Sequence, residues 1–128
     1  MSTEKNSPLH RANIRAVVNK KDVNFSPDQF DGSSSRVRME ASFDSTYLEI
    51  DYGAGLTSGT HTLPHTQFKV KYRDPAGQDF THVAAGTLVV EVIGNTHNGE
   101  LTDIKVDGTG SGAGSTLQLS GDYLIVVS

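Results

Sequence analysis

The chain predicts an all-β fold: a single-domain antiparallel β-sandwich of about ten short strands, with a β-barrel as the alternative closure. Three observations lead there. Apolar residues recur at every second position. Ala12, Ile14, Ala16 and Val18 alternate with Asn13 and Arg15, and Leu48, Ile50 and Tyr52 alternate with Glu49 and Asp51. That period places alternate side chains on opposite faces of an extended chain. The gaps between these runs carry Gly, Pro, Asn and Asp, each suited to turns. No segment of useful length repeats with the 3.6-residue period of an amphipathic helix.

Residues 1–8 are polar and read as a flexible N-terminal tail, leaving 9–128 as one all-β domain. A first strand is expected at 11–18, a short one at 23–25, and a loop rich in Ser, Asp and Gly at 26–35. Strands follow at 36–43 and 47–52, then a Gly-rich connection at 53–59 and a weak strand at 60–63 closed by Pro64. Residues 68–73 and 78–83 form a hairpin across Asp74, Pro75, Ala76 and Gly77. Pro suits the second position of a type I turn, and the Gly suits a left-handed bulge. A bulged turn pairs Tyr72 with Phe80, Arg73 with Asp79 and Val70 with His82, joining like with like.

A second hairpin is expected between 87–93 and 101–106, with a loop at 94–99. If Leu88, Val90 and Val92 face the core, Thr102, Ile104 and Val106 should join them. Val89, Ile93 and Leu101 then fall on the opposite face and need a cover, which makes them the candidate interface of a two-fold homodimer. Residues 107–115 read as a Gly/Ser loop. Two last strands, 116–119 and 123–127, are separated by a turn at Gly121 and Asp122, with Leu119, Leu124 and Val126 inward.

Composition bounds function more than it assigns it. At 128 residues the chain can bury a core, and it has no cysteine for disulfides or thiolate metal sites. The net charge is −4 and the basic residues are dispersed, so a phosphate-neutralising face for nucleic acid is not expected. No run approaches the ~20 apolar residues of a membrane helix, and no apolar stretch follows a basic start. A cytoplasmic protein without a membrane partner is the corresponding expectation.

Candidate chemistry is sparse. His61 and His65 have a helical metal spacing, but on a strand four residues span ~13 Å at about 3.3 Å each. A zinc site would need a third ligand from elsewhere, such as His82 or His97, so no metal or other cofactor is expected. The plainer readings are an edge or core role for His82 and an exposed loop tip for His97. Asp28, Asp31 and the nearby serines offer oxygens for a hard cation but do not fit the calcium-loop pattern, and the 28–32 stretch reads equally well as turn chemistry. Glu91 and Asp103 could oppose each other as paired carboxylates, moderated by Lys105. Residues 108–113 match a dinucleotide fingerprint, yet strand alternation and not a helix follows. The reading reached is a non-enzymatic binding or interaction module that presents polar loops to a protein or saccharide ligand. The absence of Trp, with only Tyr47 and Tyr123 expected outward, weakens the saccharide version. The alternatives are a self-associating structural protein and, behind it, a small enzyme using His and carboxylates.

Overall fold

The computed structural model describes residues 10–23 and 25–127; the tail expected at 1–8 lies outside the described residues. The described residues form ten strands: β1 (Arg11–Val18), β2 (Lys21–Val23), β3 (Gln29–Ser33), β4 (Arg36–Ala41), β5 (Thr46–Asp51), β6 (Gly59–Pro64), β7 (Lys69–Arg73), β8 (Asp79–Ile93), β9 (Thr96–Thr109) and β10 (Thr116–Val126). All pairings are antiparallel, as the period-two pattern predicts. The strands belong to one sheet in the order β2-β1-β10-β9-β8-β7-β5-β4-β3, and β6 pairs with β8. This sheet curls into a half-barrel around a single apolar core.

The curl brings the sheet's distant parts together. His10 stacks on Phe30 of β3 with ring centroids 5.3 Å apart. Its Nδ1 accepts the Val126 N–H at 3.2 Å. The 25–28 segment links the outermost strands β2 and β3 across one end of the half-barrel. Phe25 is buried there, edge-on to Tyr72 at 5.8 Å. We call this the Tyr72 end; the opposite end carries Tyr52, His97 and Tyr123.

The hairpin at 74–77 has the bulged register: Tyr72 pairs with Phe80 and Arg73 with Asp79. Gly77 N–H donates to the Asp74 carbonyl at 3.0 Å, and Gly77 has φ +85. A Cβ at Gly77 would meet nothing within 4 Å. Gly77→Ala therefore carries only the backbone penalty, and urea unfolding should show a loss of about 1 kcal/mol.

The expected pairing of Val70 with His82 does not form. The β7–β8 ladder ends at Tyr72 and Phe80, and a register shift follows Phe80. Beyond it β8 leaves β7 and takes β6 as its neighbour, with Leu63 opposite Leu88. The two strands expected at 78–83 and 87–93 are thus one bent strand of 15 residues. Bulges bend a strand without ending it, and each extra residue reverses which side chains face inward.

Two face assignments are corrected, one by a bulge in β9 and one by an uninterrupted β10. In β9, Leu101 and Ile104 are both buried, whereas Thr102 is exposed and Asp103 sits at φ +48. Two residues there oppose one on β10, since Leu119 pairs with Ile104 but Gly121 pairs with Leu101. Leu101 therefore belongs to the core, and only Val89 and Ile93 of the expected interface trio face outward. In β10, Gly121 is not a turn. The strand runs straight through it, so Tyr123, Ile125 and Val127 point inward, Leu124 is half-buried on the outer face and Val126 is exposed.

Candidate functional site

The expected histidines do not converge. His61 lies on β6 opposite Val90, half-buried, with Nε2 2.7 Å from the Thr57 carbonyl. His65 follows β6, and His82 is exposed on β8 opposite Asp107. Among the described residues no three His, Cys, Asp or Glu side chains are placed to hold a metal ion. Glu91 faces Asn98 across the ladder, not Asp103, so that carboxylate pair does not form.

His97 is the residue the sequence misplaced most. A two-residue turn at Gly94 and Asn95 replaces the loop expected at 94–99, and β9 starts at Thr96. Gly at the first central position suits the tight turns whose twist matches the flanking strands. His97 then falls inward, opposite Val92 and Ile125, at 1% exposure. Its Nδ1 lies 3.2 Å from the Tyr52 hydroxyl, which lies 2.6 Å from the Tyr123 hydroxyl. With Nδ1 unprotonated, Tyr123 donates to Tyr52 and Tyr52 donates to His97. This chain of bonds ties the end of β5 to β9 and β10. The Tyr123 ring lies directly over Gly99, where any Cβ would collide with it.

Burial, reinforced by His61, holds the His97 imidazole below its ordinary range, and burial holds both phenols above theirs. The pH consequence follows from the sign. Unfolded His97 takes up a proton near its ordinary pKa of about 6.5, whereas the folded residue resists it. Its contribution to stability is complete above that value and is lost as pH falls through it toward the lower folded value. Urea midpoints measured from pH 7.5 down to 5 should fall more steeply for the parent than for His97→Asn.

The other end carries a second polar cluster. Thr46 begins β5, Asp74 follows β7 and Gln78 precedes β8. Thr46 and Asp74 are buried despite their polarity. The Thr46 Oγ1, Tyr72 Oη and Gln78 Oε1 atoms are buried with no hydrogen-bond partner. Buried polar atoms are nearly always paired, so three orphans in one region call for an explanation.

The β4–β5 turn above this cluster is built by hydrogen bonds. The Asp28 carboxylate accepts from the Ser42 N–H at 2.9 Å and from its Oγ at 2.6 Å. Ser45 N–H donates to the Ala41 carbonyl at 2.8 Å, and Thr46 N–H donates to Asp44 Oδ1 at 3.1 Å. The two bonds from Ser42 hold the Asp28 carboxyl below its usual range. Phe43, in the middle of this turn, is 99% exposed.

The polar loops expected to present a ligand site are more structured than the sequence suggests. The 26–35 segment contains β3, and most of 94–99 is β9. The 107–115 segment continues β9 to Thr109, forms a 3-10 turn at Gly110–Gly112 and enters β10, so its fingerprint pattern meets no helix. Ser111 fastens it to the neighbouring turn by donating to the Gly77 carbonyl at 2.9 Å. Tyr123 is buried, not outward, and the Arg38 guanidinium covers the Tyr47 ring at 4.2 Å. Neither tyrosine offers a free sugar platform. Among the described residues no helix is long and apolar enough to cross a membrane. Comparison with protein-family models, curated proteins and solved structures returned no match.

Proposed function

We propose that the protein is a non-enzymatic binding module that docks a protein partner through its β4–β5 turn. The carrying observation is Phe43, a fully exposed aromatic on a turn held by four hydrogen bonds. Single exposed apolar residues are common on soluble proteins. Phe43 differs because its turn is fixed before any partner arrives. A turn already ordered leaves only the two side-chain torsions of the aromatic to be fixed on entering a pocket, which keeps the ordering cost of binding small.

A photo-cross-linking phenylalanine analogue placed at position 43 tests this in the native cell. The expected result is a discrete adduct to one protein, whose purified form binds the parent at least tenfold more tightly than it binds Phe43→Ala. That factor corresponds to about 1.4 kcal/mol. Phe43→Ala should unfold within about 0.5 kcal/mol of the parent, because the side chain packs on nothing. No adduct, or equal binding by both proteins, overturns the reading.

A second reading, self-association, draws on a different observation. Ile93 and Val126 are both exposed and both pair with Thr96, so they share one outer row across β8, β9 and β10. This row, with Val89 further along β8, replaces the trio that included Leu101. Light scattering should then give a dimer for the parent and a monomer for Ile93→Asp combined with Val126→Asp. A monomeric parent contradicts it.

A further inference from the structure

The orphaned polar atoms at the Tyr72 end lie together because of the strand register. Leu48, Tyr72 and Phe80 form one inward row across β5, β7 and β8. Stepping two residues outward along each strand on the same face gives Thr46, Asp74 and Gln78. Neighbouring strands lie about 4.8 Å apart, so these three residues sit side by side at the Tyr72 end of the half-barrel. Asp74 and Gln78 are joined directly: Gln78 N–H donates to Asp74 Oδ1 at 2.8 Å. Asp44 stands in the adjoining turn, its Oδ1 similarly held by Thr46 N–H at 3.1 Å. Tyr72 itself belongs to the row one step deeper on the same inward face.

We propose that this end of the half-barrel binds one hard divalent cation of the calcium class through oxygen atoms of Asp44, Thr46, Asp74 and Gln78, with the Tyr72 hydroxyl beside them. Two independent facts carry it. One is the pair of carboxylates, neither of which has a basic partner among the described residues, although Asp74 is buried. Buried charges are ordinarily paired or ligate a metal. The other is the set of unpartnered oxygens, of which Thr46 Oγ1 and Tyr72 Oη belong to residues at 0% and 1% exposure. A hard cation prefers this mixture of carboxylate, amide and hydroxyl oxygens, and it tolerates irregular geometry when it is calcium. Each carboxylate keeps one oxygen on a backbone N–H, which fixes its orientation before the ion arrives. With only two carboxylates the affinity should be modest, about 10⁻⁴–10⁻³ M. The site does not depend on Phe43 having a docking role, although both share the β4–β5 turn.

Terbium substitutes for calcium and emits when a nearby tyrosine is excited, and this chain has no tryptophan to compete. The parent should show tyrosine-sensitised terbium emission that calcium displaces. Tyr72→Phe should remove most of that emission while still protecting the fold against heat in millimolar calcium. Asp74→Asn should weaken calcium binding at least tenfold by calorimetry. Asp79→Asn, which removes a half-buried carboxylate paired with Arg73, should leave it unchanged. If Asp74→Asn does not fold, Asp44→Asn replaces it with the same expected loss. Failure of the parent to bind calcium or terbium overturns the proposal and leaves the orphaned atoms to buried water. Equal binding by the parent and the folded Asp74 or Asp44 variant overturns it as well.

Discussion

Gly121→Ala is expected to remove a large share of the fold's stability. Gly121 has φ +120, outside what an L side chain readily adopts, and lies in the middle of β10. A Cβ there would stand 2.0 Å from the Asn13 carbonyl oxygen and 3.1 Å from the Ile14 Cα. Both are backbone atoms of β1, which is held to β10 over its whole length. No side chain can rotate away to make room. Backbone strain of about 1–3 kcal/mol adds to a comparable overpacking cost, so a total of about 2–6 kcal/mol follows. A domain of this size has about 5–15 kcal/mol in all. Gly77→Ala shares the positive φ but not the collision, so the difference between the two variants in urea isolates the steric part. Equal losses would contradict the close β1–β10 contact.

Tyr123→Ala should cost about 3–5 kcal/mol, the range for truncating a buried aromatic. The ring fills the space over Gly99, and its hydroxyl anchors Tyr52. Tyr123→Phe separates the two contributions. It keeps the ring and removes one hydrogen bond, leaving the Tyr52 hydroxyl with His97 alone, so a loss of about 1 kcal/mol is expected. Denaturant midpoints with unchanged slopes report both values. A Tyr123→Ala variant as stable as Tyr123→Phe would mean that the ring is not packed.

The fold class was legible because one signal dominates it. Alternation in β1, β4, β5 and β7 survives intact, so the inward residues Ile14, Val37, Leu48 and Tyr72 could be read from parity alone. The hairpin register was legible because Pro75 and Gly77 prescribe a turn and the flanking pairs match only one way. Bulges were not legible. An extra residue at Thr102 and Asp103 leaves no mark in composition, yet it moves Leu101 from the outer face to the core. Gly121 and Asp122 look like a turn dipeptide, yet β10 runs straight through them, and Gly121 lets its backbone pass close to β1. That single misreading inverted Leu124 and Val126 against Tyr123, Ile125 and Val127.

The site was less legible for a related reason. His97 depends on where a turn ends, and Thr46, Asp74 and Gln78 become neighbours only when β5, β7 and β8 are set in register. Nothing near them in sequence marks them as a group. Phe43 was visible as an apolar residue at a strand end, but its exposure depends on Asp28 fastening the turn through Ser42, fourteen positions along the chain.

The placement of Tyr123 over Gly99 tests the account most directly, because it requires the β9 bulge, the straight passage of β10 and the tight Gly94 turn at once. Proton NMR of the parent should show an upfield-shifted Gly99 Hα with cross-relaxation to the Tyr123 ring. A Gly99 Hα at an ordinary shift, with Leu124 rather than Tyr123 in contact with the core methyl groups, would contradict it.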